Sequence, residues 1–252
     1  MARAFLTPAL LSSLSQQPNL PKDSWYFVVA TTLCILNRPD QIPTVFQHAV
    51  ENSIQGGEQT LTQESQLFIA RRIRESLIKA SAVGGVPKTI NALHALKNAT
   101  PAELQDGPFA PSPSSRRGDL YDTPVLDILQ RGQDFFEKIY GKIWQRVMGH
   151  MDGSGTEDLG LIGRLTYAYV LSNVNILNHR ETSFVLIAAL VPQDVNPQLK
   201  GHLKGALNGG ASVEEVKAIR SIVISVCKAA GMTQLDPDCP GGWGWREEVA
   251  DL

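Results

Sequence analysis

The chain has 252 residues, with 23 Lys or Arg against 25 Asp or Glu, so its formal net charge is −2. This near balance, with 43% hydrophobic residues, is typical of a folded globular protein and gives no electrostatic reason to expect nucleic acid or an anionic membrane as a partner. The longest apolar stretch, from Tyr26 to Leu36, is well short of the roughly 20 residues that a membrane-spanning helix needs. We therefore expect neither nucleic acid nor a membrane as a partner.

The three cysteines, Cys34, Cys227 and Cys239, include no CxxC pair. This pattern excludes a disulfide scaffold and a four-thiolate zinc site, and it indicates a reducing compartment. We expect the cytoplasm. A mitochondrial or peroxisomal location is the alternative, although residues 1–17 lack the repeated Arg of a transit peptide and residues 249–252 lack the Ser-Lys-Leu peroxisomal signal.

Helical periodicity covers most of the chain, and two-residue alternation bounded by hairpin turns is absent, which predicts an all-α protein. In chain order, helices are expected at Gln63–Lys79, Pro87–Leu96, Val125–Val147, Leu159–Leu171 and Glu181–Leu190, and another is expected to open at Pro197 with Asn196 as its cap. In the first of these helices, the cluster of Arg71, Arg72, Arg74 and Glu75 is expected to face solvent.

Residues 108–119 are rich in Pro and Ser and contain two Arg, which predicts an extended, solvated linker. The linker separates an N-terminal helical half at residues 1–107 from a second half at 120–235, and a tail follows at 236–252. Trp243 and Trp245 in this tail are expected to anchor it either onto the body of the protein or onto another subunit.

The same order of features occurs twice along the chain. Each copy has a base–acid pair, an apolar helix, a helix with one His, a Gly-Gly pair and a capped helix start. The matching positions are Lys22-Asp23, His48, Gly56-Gly57 and Thr60 in the first copy, and Arg180-Glu181, His202, Gly209-Gly210 and Ser212 in the second. This duplication predicts a helical bundle of two halves related by a pseudo-twofold axis.

His202 shares one helical stripe with Leu199 and Leu203, so its side chain is expected to point inward. His48 has the same setting in the first half. Each His could be a core residue with satisfied ring nitrogens, or it could transfer protons. Glu181, at the start of the preceding helix, would orient the ring of His202 and raise its basicity in the second case. The alternative for Glu181 is that it only stabilises the helix N-terminus.

Residues 180–231 resemble the carboxymuconolactone decarboxylase family, and the resemblance extends more weakly back to about Phe135. Residues 22–97 look like a diverged second copy. The matching positions are Arg180, Glu181, His202, Ala206, Leu207, Gly210, Glu214 and Glu215. The resemblance implies an all-helical, usually oligomeric protein whose decarboxylase members use neither a metal nor an organic cofactor.

The sister branch of that family, the alkylhydroperoxidase-D proteins, has a redox CxxC before the His. In this chain Val195 and Gln198 occupy those two positions, so no thiolate can form there. A thiol hydroperoxide reductase remains an alternative only if Cys227 and Cys34 or Cys239 approach each other in space.

These observations lead to one main hypothesis and one alternative from a different class. The main hypothesis is a cofactor-free carboxy-lyase, a homo-oligomer without a metal, that acts on a small carboxylated lactone or a related acid. His202 and Glu181 would be catalytic, and Arg180 and His48 would bind the substrate. The alternative is a non-catalytic helical binding or scaffold protein that retains the family fold.

Overall fold

The computed structural model describes residues 4–52, 62–107 and 110–232. Within these ranges it contains α-helices and no β-strand, apart from an isolated bridge between Ser154 and Thr156. The predicted all-α class is therefore confirmed for the described part of the chain. The helices are α1 (Pro8–Ser15), α2 (Trp25–Ile35), α3 (Ile42–Asn52), α4 (Gln63–Gly84), α5 (Val86–Ala99), α6 (Arg116–Tyr121), α7 (Val125–Tyr140), α8 (Trp144–Asp152), α9 (Asp158–Leu165), α10 (His179–Leu190), α11 (Asn196–Asn208) and α12 (Val213–Ala229).

Helices α2 and α10 form the centre of the molecule. All residues of α2 except Trp25 are buried, as expected for a helix that is apolar on every side. Helix α2 packs against α4, α10 and α12, and α10 packs against α2, α4 and α11. One continuous hydrophobic core reaches from Leu6 to Cys227, so the described residues on both sides of the predicted linker share it. No described helix combines the length and the apolar character needed to cross a membrane.

Capping residues fix the starts of the helices that surround this centre. Ser212 accepts a hydrogen bond from the backbone N–H of Glu215, and the Glu215 carboxylate accepts one from the N–H of Ser212. This capping box at the start of α12 was predicted and is confirmed. Helix α4 begins after Thr62, whose hydroxyl accepts from the N–H of Ser65. The predicted start at Thr60 and the Gly56-Gly57 pair lie outside the described residues.

Two predicted helices differ in the structure. The helix expected at Val125–Val147 is divided at Gly141, whose φ of +52° favours glycine and ends α7 before a 3-10 turn leads into α8. The helix expected at Leu159–Leu171 begins as α9 and continues as a π-helix at Thr166–Leu171. In addition, α11 includes Asn196 and takes Val195 as its N-cap residue, so the cap predicted for Asn196 is wrong.

The predicted linker is packed from Ser114 to Asp119, whereas Ala110, Pro111 and Ser112 are exposed. Ser114 is buried, and its carbonyl oxygen accepts hydrogen bonds from the side-chain amides of Asn173 and Asn175, both at 2.8 Å. Helix α6 begins at Arg116, inside the segment, and Asp119 is buried in an ion pair with Arg131. The expectation of an extended, solvated linker is wrong here. Residues 108–109 and the tail with Trp243 and Trp245 lie outside the described residues.

Candidate functional site

A line of buried charged side chains runs along α4. Arg72, Glu75 and Lys79 are 5%, 2% and 0% exposed. Their spacing of three and four residues places them on one side of the helix. We call these three residues the buried charges of α4. The expectation that Arg72 and Glu75 face solvent is wrong, because both have partners far away in sequence. Arg71 and Arg74 are partly exposed, as expected, and both form ion pairs with Asp106.

Arg72 connects α4 to α2 and α10. Its Nη2 donates to Oε1 of Glu181 at 2.5 Å and to the carbonyl oxygen of Asp23 at 3.1 Å, and its Nε donates to the hydroxyl of Tyr26 at 3.0 Å. Burial lowers the pKa of Arg72, but the hydrogen bonds and charge interactions with Glu181 and Tyr26 together outweigh it, so the pKa lies above its usual value. Arg72 therefore stays charged and pairs with Glu181 in the interior.

Glu75 and Lys79 connect α4 to α6 and to the end of the π-helix. The Glu75 carboxylate accepts two hydrogen bonds from Arg116, at 2.6 and 2.7 Å. The Nζ of Lys79 donates to the carbonyl oxygens of Leu171 and Asn173, both at 2.7 Å, and lies 3.8 Å from Oε1 of Glu75. Burial lowers the pKa of Lys79 to about 7. All of these contacts are internal, which indicates that the group holds helices together.

His202 points into the protein from α11, as predicted, and is 6% exposed. Its Nε2 lies 3.4 Å from the hydroxyl of Tyr140, which in turn lies 3.5 Å from the hydroxyl of Tyr167. Nδ1 has no hydrogen-bond partner among the described residues. Burial lowers the pKa of His202 to about 4, so the ring is neutral at pH 7.

The predicted pair of His202 and Glu181 is not formed. Oε1 of Glu181 accepts from Arg72, and Oε2 accepts from the backbone N–H of Asn178 in the capping box at the start of α10. Both oxygens of the carboxylate are thus occupied by partners that α10 and α4 provide. The alternative role of Glu181, to stabilise the helix start, agrees with this geometry, and no acidic side chain in the described part of the chain bonds to His202 to orient it.

The two residues predicted to bind substrate have other contacts. Arg180 donates from Nη1 to the Glu215 carboxylate at 3.2 Å, which links the starts of α10 and α12. His48 is half-buried on α3, with its ring edge-on to Trp25 at 5.6 Å between centroids. Burial lowers the pKa of His48. The described contacts of Arg180 and His48 do not bring the two residues together.

The described cysteines are buried, free thiols. Burial raises the pKa of Cys34 to about 11 and that of Cys227 to about 12, so neither forms the thiolate that a hydroperoxide reductase needs at neutral pH. Cys239 lies outside the described residues. No group of three or more His, Cys, Asp or Glu in the described ranges is placed to hold a metal ion.

Exposed large hydrophobic residues are concentrated on α7 and α9. We call five of them the α7–α9 face: Leu126, Leu159, Leu161, Ile162 and Leu165. Beside them, α7, α8, α9 and the π-helix enclose a groove of about 390 Å³. Its lining is mainly apolar and consists of Leu126, Leu129, Gln130, Gly132, Gln133, Phe136, Met148, Arg164 and Tyr167. Exposed apolar patches with a concave neighbour are typical of binding surfaces.

The sequence reasoning missed both the buried charges of α4 and the α7–α9 face. The spacing of Arg72, Glu75 and Lys79 was a usable signal, because all three share the side of the helix that carries Ser76 and Ile69, which are buried. For α9 the signal was the sequence DLGLIGRL. Its two glycines are small enough to pack closely against a neighbouring helix, which leaves the Leu and Ile side chains on the other side.

Comparison with known proteins identifies relatives over most of the chain. The chain is 38% identical over 205 residues to Peroxisomal protein 2 of Schizosaccharomyces pombe, and the match covers 81% of this chain and 85% of that protein. The chain belongs to the Peroxisomal protein 2 family. Peroxisomal protein 2 of Saccharomyces cerevisiae is 29% identical over 266 aligned positions, which cover 88% of this chain and 94% of that protein.

These relatives correct the predicted function. Both are named as peroxisomal proteins and neither as a decarboxylase, so the prediction of a cofactor-free carboxy-lyase is wrong. The alternative, a non-catalytic helical binding or scaffold protein, fits better. No family model matches the chain, so the resemblance to the carboxymuconolactone decarboxylase family stays a prediction.

Proposed function

We propose that this chain is a non-catalytic helical binding protein of the peroxisome and that it binds through the α7–α9 face. One observation carries the proposal. The charged groups that the sequence offered for catalysis are used to hold helices together, whereas large apolar side chains on α7 and α9 are exposed to solvent. A buried charge that loses its partner is strongly destabilising, so these charges are committed to the fold, whereas exposed apolar patches mark interaction surfaces.

The geometry around His202 supports a role without catalysis. A general base must come within hydrogen-bond reach of a substrate proton. His202 is buried, its Nε2 faces the Tyr140 hydroxyl, and the carboxylate expected to assist it is bound to Arg72. A place in the core accounts for the burial and the low pKa of His202, although its Nδ1 lacks the hydrogen-bond partner that a fully satisfied core histidine would have among the described residues.

The peroxisomal part of the proposal comes from the relatives. Two yeast proteins that match most of this chain carry the name Peroxisomal protein 2. At 38% identity over 205 residues, the same compartment is the natural expectation for this chain. The peroxisomal alternative thus replaces the cytoplasm in our proposal.

The proposal includes a duplicated core. Helices α2 to α4 would correspond to α10 to α12, as the repeated sequence features predict. The packing supports this correspondence, because α2 contacts α12, α10 contacts α4, and the two first members, α2 and α10, contact each other. Reciprocal contacts of this kind are what a pseudo-twofold arrangement requires.

The experiment is cross-linking in isolated peroxisomes. The tagged full chain is expressed in fission yeast cells that lack their own Peroxisomal protein 2, and its overlap with a peroxisomal matrix marker is scored by microscopy. We expect overlap and a discrete cross-linked product. Ile162→Asp combined with Leu165→Asp should abolish that product, whereas His202→Gln should leave it unchanged. A chain outside peroxisomes, or a product insensitive to the Asp changes, would contradict the proposal.

A further inference from the structure

A second pocket, of about 510 Å³, lies between α4, α5 and the chain that follows α5. It is separate from the groove beside the α7–α9 face, because no residue lines both. Buried aliphatic side chains form part of its wall: Ala70 of α4, Leu96 of α5, and Leu104 of the 3-10 turn Ala102–Leu104. Pockets that enclose small organic molecules have volumes of about 300–1,000 Å³. The pocket is therefore large enough for such a ligand.

The apolar wall of this pocket is aliphatic. Half-buried Ile78 and Leu93 extend it towards the surface, and the described lining contains no aromatic ring. Sites for nucleobases and other flat aromatic groups usually offer a ring on which the ligand stacks. A wall built from Ala, Ile and Leu side chains instead favours a flexible aliphatic chain.

Positive charge is in excess at the edge of the pocket. Arg74 and Lys97 belong to the lining, and Asp106 is the only acid in the part of the lining that the structure describes. The Asp106 carboxylate accepts hydrogen bonds from both Arg71 and Arg74. One carboxylate balances only one of these two guanidinium groups. Together with Lys97, the edge of the pocket therefore has two positive charges in excess.

Both cations of the lining have N–H donors to spare. Lys97 is exposed on the last turn of α5, and its Nζ bonds to no other residue in the described ranges. Arg74 uses Nη2 for the Asp106 carboxylate, which fixes the direction of its guanidinium, and its other nitrogens have no bond to a described residue. Hydrogen bonds from such cations to a carboxylate are charge-assisted and stronger than neutral ones.

We propose that this pocket binds a small aliphatic carboxylate, with its chain against Ala70, Leu96 and Leu104 and its carboxylate at Arg74 and Lys97. An uncharged chain would leave the two cations unused, and an anion without a chain would leave the apolar wall in contact with water. The site is additional to the partner binding proposed for the α7–α9 face, and neither proposal depends on the other.

The test is calorimetric titration of the purified full chain with three probes: decanoate, its uncharged counterpart decan-1-ol, and acetate, which has the charge without the chain. We expect one decanoate to bind per chain. Decan-1-ol should bind about tenfold more weakly, because it lacks the charge-assisted hydrogen bonds. Acetate should not bind at millimolar concentration, because it buries almost no apolar surface.

Substitutions of the two cations test where the carboxylate lies. Lys97→Gln should weaken decanoate binding about threefold or more and leave decan-1-ol unchanged. With Arg74→Gln added, the affinity for decanoate should fall to that for decan-1-ol. Lys200→Gln is the matched control, because Lys200 is an exposed lysine on α11 outside the pocket, and it should change neither affinity.

A pair of alanine substitutions tests where the chain lies. Ala110 is exposed and lines the pocket, so Ala110→Trp should block decanoate and decan-1-ol alike. Ala102 is also exposed but is not part of the lining, so Ala102→Trp should block neither. Circular dichroism checks that all variants keep the helix content of the wild type.

Three results would overturn the inference: no binding of decanoate, equal affinities for decanoate and decan-1-ol, or binding that Ala110→Trp leaves intact. Decanoate binding that is lost in Leu126→Asp instead would place the ligand in the groove beside the α7–α9 face, and this too would overturn the site. The proposed function is tested separately by cross-linking, and none of these results would contradict it.

Discussion

Arg72 on α4 and Glu181 on α10 form a hydrogen-bonded ion pair at 2.5 Å although 109 residues separate them in sequence. The second oxygen of the same carboxylate caps α10 through the backbone N–H of Asn178. One side chain therefore starts a helix and attaches it to α4. The Arg180-Glu181 motif, which suggested catalysis in the sequence, therefore has a structural explanation. Glu181 caps α10 and pairs with Arg72, and Arg180 pairs with Glu215.

Replacement of one partner in this pair should be costly. Arg72→Met leaves the Glu181 carboxylate buried without its cation, and the free energy of unfolding in urea should fall by about 3 kcal/mol. Arg71→Met is the matched control, because Arg71 pairs with Asp106 at the surface and its loss should cost less than about 1 kcal/mol. Equal losses for the two variants would contradict a stabilising role specific to Arg72.

Adjacent arginines in α6 test whether the predicted linker is part of the core. Arg116 donates two hydrogen bonds to buried Glu75, whereas Arg117 is exposed and its guanidinium lies over the ring of Tyr121. Arg116→Ala should lower the free energy of unfolding by about 3 kcal/mol and increase proteolytic cleavage near residues 110–120. Arg117→Ala should change it by less than about 0.5 kcal/mol. Similar small effects at both positions would show that the segment is only loosely attached.

The neutral, buried ring of His202 predicts a loss of stability in acid. Its pKa of about 4 in the folded chain lies below the ordinary 6.5, so between these values the unfolded chain binds a proton that the folded chain does not. The contribution of the neutral His202 ring to the free energy of unfolding is therefore fully present above pH 6.5. It is lost as the pH falls towards 4, and the total loss is about 3 kcal/mol. Urea unfolding of wild type and His202→Gln across this range measures it. We expect the free energy of unfolding to fall less in acid for the variant than for the wild type. The same dependence on pH in both proteins would show that His202 is not the group responsible.

Gly132 is the point of closest approach between α7 and the π-helix. A Cβ atom there would lie 2.6 Å from the backbone N and Cα of Ala168, which cannot move without displacing the helix. Gly132→Ala should therefore destabilise the protein by about 2 kcal/mol in thermal or urea unfolding. Gly149→Ala on α8 is the control, since a Cβ atom meets nothing within 4 Å and the change should stabilise the helix by up to about 1 kcal/mol. A Gly132→Ala variant more stable than Gly149→Ala would contradict the close packing of α7 against the π-helix.

Local sequence signals sufficed for much of the fold. The capping box at Ser212 and the inward direction of His202 depend on residues within a few positions of each other, and both are confirmed. The break at Gly141 was missed, because periodicity continues across it and only the positive φ of that residue ends the helix. The π-helix at Thr166–Leu171 was missed as well, because the helical periodicity continues from α9 through it.

The site was harder to predict than the fold. Charged residues such as Arg72 and Glu75 are expected at the surface of a protein. Their burial depends on the ion pairs with Glu181 and Arg116, respectively, and both partners lie far away in sequence. The pairing of Glu181 with His202 was inferred from their order along the chain, which does not specify which helix faces which. The exposed side of α9 was missed because periodicity predicts a helix there but does not tell which of its sides the rest of the protein covers.

The central position of α2 has a consequence for synthesis of the protein. This early helix is covered by α4 but also by α10 and α12, which a ribosome adds more than 150 residues later. A nascent chain that ends before residue 179 leaves one flank of α2 bare and Arg72 without its carboxylate. The N-terminal helices therefore cannot complete their packing before the C-terminal helices are made. Folding of the centre of the molecule requires translation of α10 to α12.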